Sequence, residues 1–268
     1  MVWHCDNIVS LLVSEIRGKS KMLGRSLRAD FLKMKNLPVL WAHIWIPIAI
    51  NALFLSYYAF TGWSTSAKII GFFESVGAGF PILIGIFTAD VMEHEQNAGC
   101  FQNLLSQPRK TTAFLSKVIL LLLLGLFSVV LTAVIFGAGF RVIANNCDIG
   151  MVTYLTAALM MWCSAIPLYI VQMIIAFRFG KGASVGTGLF AGLLGALMLT
   201  DLGRLVWEYV PPSWTGRMPV TYLRVVFGTP DAVNELKKAI PIVCVVTIMS
   251  LLCYRLWASR FEGDRITD

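Results

Sequence analysis

Long apolar runs separated by short polar connections organise this chain, and stretches such as Val118 to Leu124 are apolar at every position. A membrane β-strand alternates residue by residue, so unbroken runs of this kind predict helices that cross a hydrocarbon core, each needing roughly 20 apolar residues. Six are predicted, near Leu37 to Phe60, Ile69 to Met92, Thr112 to Phe140, Val152 to Phe177, Ala183 to Thr200 and Ala239 to Trp257. Helices satisfy their backbone groups segment by segment, which lipid requires. Composition supports the pattern: the chain is 57% hydrophobic and 14% charged, with a mean hydropathy of +0.73. Those values lie outside the range of soluble domains and predict an all-α integral membrane protein.

The polar stretches between these runs carry the remaining information. Glu93 to Pro108 reads as a short amphipathic helix: Ala98, Phe101 and Leu104/Leu105 fall on one face, Glu93 and Glu95 open it, and Pro108 stops it. Such a helix is either an interfacial filler or a lever that another protein pushes. Residues 22–36 read as a basic elbow helix, with Leu27, Phe31 and Met34 beside Arg25, Arg28, Lys33 and Lys35. Residues 1–21 are either a surface-lying helix built on Ile8, Leu11, Leu12 and Ile16 or an over-extended reading frame that should start at Met22; they lack the order of a cleavable signal. Gly182/Gly186 and Gly188/Gly192, each four apart, suit close helix packing within one subunit or at a dimer seam. The connection 201–238 holds Trp207, Tyr209, Pro211, Pro212, Trp214 and Pro219, a mixture that fits a re-entrant piece or an anchored loop.

Charge sets the orientation. Arg17 to Lys35 is densely basic, whereas the short connections after the first and third runs carry only Lys68 and Arg141, so the N-terminus is placed inside. Six spans return the C-terminus (259–268) to the same side. The connection after the fifth run is basic and opposes this, but it is long, where the charge rule weakens. Topology and anionic lipid account for the net charge of +7, so no nucleic-acid partner is inferred. The six cysteines show no paired spacing, which argues against a disulfide framework or a zinc motif.

Several fragments imitate catalytic motifs. Gly182-Ala183-Ser184-Val185-Gly186 fits G-x-S-x-G but lacks a preceding strand and a base at hand. His94-Glu95 opens like H-E-x-x-H, yet position 98 is alanine. Phe179-Gly180-Lys181-Gly182 resembles the end of a phosphate loop, but its first glycine would fall on Ile175. No catalytic residue, cofactor site or metal site is assigned, and any ATP hydrolysis is expected from another subunit.

Three features together resemble ABC-2 type exporter permeases, and more narrowly the permeases of lantibiotic self-immunity, the MutE/EpiE and MutG-like group. The first is six spans after the elbow helix. The second is Glu93 and Glu95, Ala98-Gly99-Cys100-Phe101-Gln102-Asn103-Leu104-Leu105, Pro108-Arg109 and Lys117, similar to the family's E-x-x-A-G-x-F-x-x-L-L segment. The third is Gly203 to Trp207, Pro211-Pro212, Trp214 and Arg217. The resemblance implies a six-helix permease domain over 37–258 in a bacterial cell membrane, with both termini cytoplasmic. It makes 93–108 a coupling helix docked on an ABC ATPase through Glu93, Glu95, Ala98, Gly99, Phe101, Leu104 and Leu105. It also implies pairing with itself or a second, similar permease, contact with membrane lipids, and expulsion of a lantibiotic-like peptide substrate, with Trp207, Tyr209 and Trp214 as candidate substrate-side residues. Alternatives are an ABC-2 exporter of another drug, lipid or small molecule, and a membrane sensor or assembly component that transports nothing.

Overall fold

The computed structural model describes residues 22–35, 37–107, 110–143 and 149–262, which are helical or in turns, with no strand among them. The helix expected within 1–21, Pro108 and the end of the C-terminal tail lie outside the described residues. The elements are α1 (22–34), α2 (Pro38–Phe60), α3 (Thr65–Asn97), α4 (Gln102–Leu105), α5 (Lys110–Ile143), α6 (Met151–Leu199), α7 (Pro211–Val226) and α8 (Ala232–Arg260), with two short 3-10 turns before α7. Five helices, α2, α3, α5, α6 and α8, are long and apolar enough to cross a membrane.

α6 takes in both the fourth and fifth predicted runs, and it is broken at Gly180, where φ is 88° and ψ is 179°. Gln172 donates from its amide to Thr187 Oγ1 across 3.0 Å and accepts from the Gly188 N–H at 3.1 Å. In a continuous helix these side chains would sit about 22 Å apart, so the chain must double back at Gly180. α6 is therefore a hairpin of two arms, and only glycine readily adopts the backbone conformation at its tip.

α3 lies along the second arm of that hairpin at backbone contact distance. A Cβ placed on Gly85 would fall 2.8 Å from Gly188 Cα, and one on Gly192 would run into the Ile82 side chain. Gly188 and Gly192 are thus packing glycines within the subunit, whereas Gly182 and Gly186 have nothing within 4 Å of such an atom. Buried hydroxyls reinforce the contact: Ser184 Oγ donates to Gly85 O at 2.9 Å and lies 3.0 Å from Thr88 Oγ1. The serine of the G-x-S-x-G fragment is thereby used for packing.

Prolines inside α2 and α3 each release a carbonyl four residues back, because proline has no N–H to offer it. Pro47 releases His43 O, which accepts from Ser128 Oγ of α5 at 3.1 Å. Pro81 releases Gly77 O, which accepts from Thr215 Oγ1 of α7 at 2.8 Å. Two sites that would be costly in lipid become joints between helices.

The connection 201–238 is shorter and more ordered than an anchored loop. α7 opens with Pro211 and Pro212, suited to a first helical turn, and it buries one side between α3 and α6. Arg217 donates to Met198 O at 2.8 Å and Thr200 O at 2.7 Å, capping the end of the α6 hairpin. α8 starts at Ala232 rather than Ala239, so Lys237 and Lys238 belong to its first turns.

Candidate coupling site

α3 runs past its apolar stretch to Asn97 and then turns sharply. Gly99, Cys100 and Phe101 follow one another with φ of 125°, 47° and 65°. The turn is closed by Cys100 N–H donating to Gln96 O at 2.7 Å and Ala98 N–H donating to His94 O at 3.0 Å. Left-handed backbone at a non-glycine costs about 1–2 kcal/mol per residue, and burying a phenylalanine returns about 1.5–3 kcal/mol. Phe101 supplies that return. It is 4% exposed, with ring centroids 5.5 Å from Phe177 and 5.9 Å from Phe261. Leu104, 2% exposed, joins the same core from α4.

This corrects the expectation of one amphipathic helix over 93–108. The segment is the end of α3, a left-handed turn and the single turn α4, and Phe101 and Leu104 face the protein's own core because the turn rotates them inward. They are not available as docking anchors. Ala98 and Gly99 are exposed, with Asn97, Cys100 and Gln102 beside them, and Leu105 is half-buried. What projects from the bundle is a blunt tip of small and polar residues.

Behind the tip sits a buried ion cluster. Lys117 Nζ of α5 donates to Glu95 Oε1 of α3 at 2.7 Å and to Asp30 Oδ1 of α1 at 3.1 Å. Lys33 Nζ of α1 donates to the same Glu95 oxygen at 3.2 Å, and Ser116 Oγ donates to Asp30 Oδ2. Glu95 and Lys117 are 4% and 5% exposed. Lys33 reaches in from the surface at 38% exposure, and two lysines and two carboxylates balance, which is what lets Glu95, Lys117 and Asp30 remain buried where an unpaired charge would cost several kcal/mol. The cluster ties the elbow helix, the arm leading into the tip and the helix leading out of it. Glu95 therefore faces inward rather than toward a partner protein. Glu93 points elsewhere: its Oε2 is 2.7 Å from Lys181 Nζ at the hairpin tip, with both side chains about half exposed, a pair worth at most about 1 kcal/mol.

Asp30 and Lys33 were not predicted as site residues, and Lys117 was noted only as part of a motif. The signals were present: Asp30 is the one acid within the basic stretch Arg25 to Lys35, and Lys117 interrupts an otherwise apolar run, where a cation needs a partner. At the opposite end, Trp207 and Trp214 are buried against Met218, Ala239 and Val243, and Trp214 Nε1 donates to Glu208 O at 3.1 Å. These two tryptophans are core residues, not a surface offered to a substrate. Tyr209 alone of the three is displayed, at 71% exposure.

The family model described as ABC-2 family transporter protein matches residues 26–195, more than half of the chain. The chain belongs to this family. The matched region takes in α1 through the second arm of the α6 hairpin, and so every member of the ion cluster and the whole tip. No curated protein and no solved structure matches the chain. As an ABC-2 transporter it is a multi-pass membrane protein with a role in transport.

Proposed function

We propose that this ABC-2 transporter is the permease subunit of an exporter whose energy comes from a separate ABC ATPase, and that the chain itself is not an enzyme. In this reading the bundle crosses the membrane six times, the α6 hairpin supplying two crossings, and both termini lie on the cytoplasmic side. The observation that carries the reading is the exposed tip Asn97 to Gln102 standing directly in front of the Glu95–Lys117–Asp30–Lys33 cluster. A push on the tip bears on α3, and the cluster passes it to α1 and α5 without a soft joint, because separating buried partners is costly. Lys33, Lys110, Lys117, Arg178, Lys181 and Arg260 gather at the tip's end, which supports the orientation, while the basic residues of 201–238 at the other end oppose it.

The cargo is a lantibiotic-like, cationic amphipathic peptide expelled from the membrane for self-immunity, and the permease works as a pair with itself or a sibling permease. The support for this cargo is the resemblance of the tip segment to immunity permeases. Cells carrying the transporter and its ATPase are expected to tolerate such a peptide, and to lose tolerance when the ATPase binds but does not hydrolyse ATP. Tolerance that survives a hydrolysis-dead ATPase would overturn export. ATPase-dependent efflux of a dye or lipid without peptide tolerance would instead assign the other cargo class.

A further inference from the structure

At the tip's end of the bundle, between the last turn of the first α6 arm and the last turn of α8, lies a cleft of about 390 Å³ lined by Arg178, Leu256, Trp257, Arg260, Phe261 and Glu262. Arg178 and Arg260 are exposed, and neither guanidinium forms an ion pair with a carboxylate among the described residues; Arg178 rests over the Phe179 ring at 5.9 Å. Among the described residues that line it, two cations face the single carboxylate of Glu262 and leave the cleft net positive. Directly along α8, Met249, Leu252 and Leu256 are all exposed at i, i+3 and i+7, and Arg260 follows one turn later. One helix face therefore reads alkyl, alkyl, alkyl, cation, with Trp257 at the boundary where indole rings settle between hydrocarbon and water.

That sequence of chemistries matches the profile of a phospholipid from tail to headgroup. We propose that the cleft binds the phosphodiester headgroup of an anionic phospholipid, held by Arg178 and Arg260, with an acyl chain lying along Met249, Leu252 and Leu256. Free phosphate would use the arginines and leave the alkyl stripe without a role, so the lipid is the occupant the geometry favours. Planar guanidinium groups suit the two free oxygens of a phosphodiester. The inference needs α8 to cross a membrane but is independent of cargo and of the direction of transport.

The test is lipid retention by the full chain in mild detergent, read by native mass spectrometry with phosphatidylglycerol and phosphatidylcholine supplied equally. Phosphatidylglycerol is expected to be retained in preference. Arg178→Gln with Arg260→Gln should weaken its retention roughly thirty-fold, while Arg178→Lys with Arg260→Lys, which keeps the charge and loses the planar fork, should fall between that pair and the wild type. Inorganic phosphate at the same concentration should not displace the lipid. Equal retention of both lipids, unchanged retention in the glutamine pair, or displacement by phosphate would overturn the proposal. A readout without arginine variants guards against misfolding: phosphatidylglycerol brominated on its acyl chains should quench the wild type more than Trp257→Phe. Equal quenching would overturn the proposal too.

Discussion

Lys117 Nζ lies 2.7 Å from Glu95 Oε1, joining the helix that enters the exposed tip to the helix that leaves it. Both groups are buried, and Lys117 also holds Asp30 of the elbow helix. Lys117→Met should therefore cost about 3–5 kcal/mol of stability, because Asp30 is left without its cation and Glu95 with Lys33 alone. Denaturant unfolding in detergent measures this. Lys117→Met combined with Glu95→Leu and Asp30→Leu should recover most of the loss and, under the proposed coupling role, abolish transport, since apolar substitutes only fill space. A triple variant that transports normally would sink the cluster's role as a transmitter.

Thr215 Oγ1 donates to Gly77 O, the carbonyl that Pro81 leaves without a backbone donor. Thr215→Val keeps the shape and removes the donor, so it should destabilise by about 1–2 kcal/mol. Thr215→Ser should restore most of that. Pro81→Ala is expected to soften the Thr215→Val penalty, because an N–H at position 81 then satisfies Gly77 O. Additive effects of the two changes would show that the threonine acts on something else.

Long apolar helices were legible because lipid imposes a single rule, whereas the turn at Gly180 was visible only as a polar gap beside Arg178 and Lys181 between the fourth and fifth runs, with nothing to single out the glycine. The tip was misread for a local reason. Helical spacing does place Phe101 and Leu104 on one face, but that holds only if the helix continues, and Gly99, Cys100 and Phe101 adopt left-handed backbone instead. Trp207 and Trp214 were misread for a tertiary reason: aromatic residues near a membrane boundary suggest an interface, and here α7 folds them against α8. Asp30 needed a partner more than 80 residues away to acquire meaning, which a one-dimensional pattern does not display.

Gly85 and Gly188 approach so closely that a Cβ on either falls 2.8 Å from backbone of the other. Backbone cannot step aside as a side chain can, so Gly188→Ala should force α3 and the hairpin apart and cost about 1–3 kcal/mol. Gly186→Ala, with nothing within 4 Å, should be neutral or stabilising by up to about 1 kcal/mol, since alanine is the better helix former. Thermal unfolding of the two variants side by side decides this. Equal destabilisation would mean that the glycines matter for flexibility rather than for contact.

Cys100 is exposed on the tip, whereas its neighbour Phe101 is buried, and the two positions should separate folding from docking. Phe101→Asp places a carboxylate among Phe177 and Phe261 and should destabilise the bundle by about 3–5 kcal/mol whether or not an ATPase is present. Cys100→Trp only adds bulk outside the core, so unfolding should shift by about 0.5 kcal/mol or less. If the ATPase seats on the tip, that same Cys100→Trp change should abolish its co-purification, and bound ATPase should slow maleimide labelling of the wild-type Cys100. Labelling at an unchanged rate with the ATPase bound, together with normal association of Cys100→Trp, would place the docking surface elsewhere and leave the ion cluster without a push to transmit.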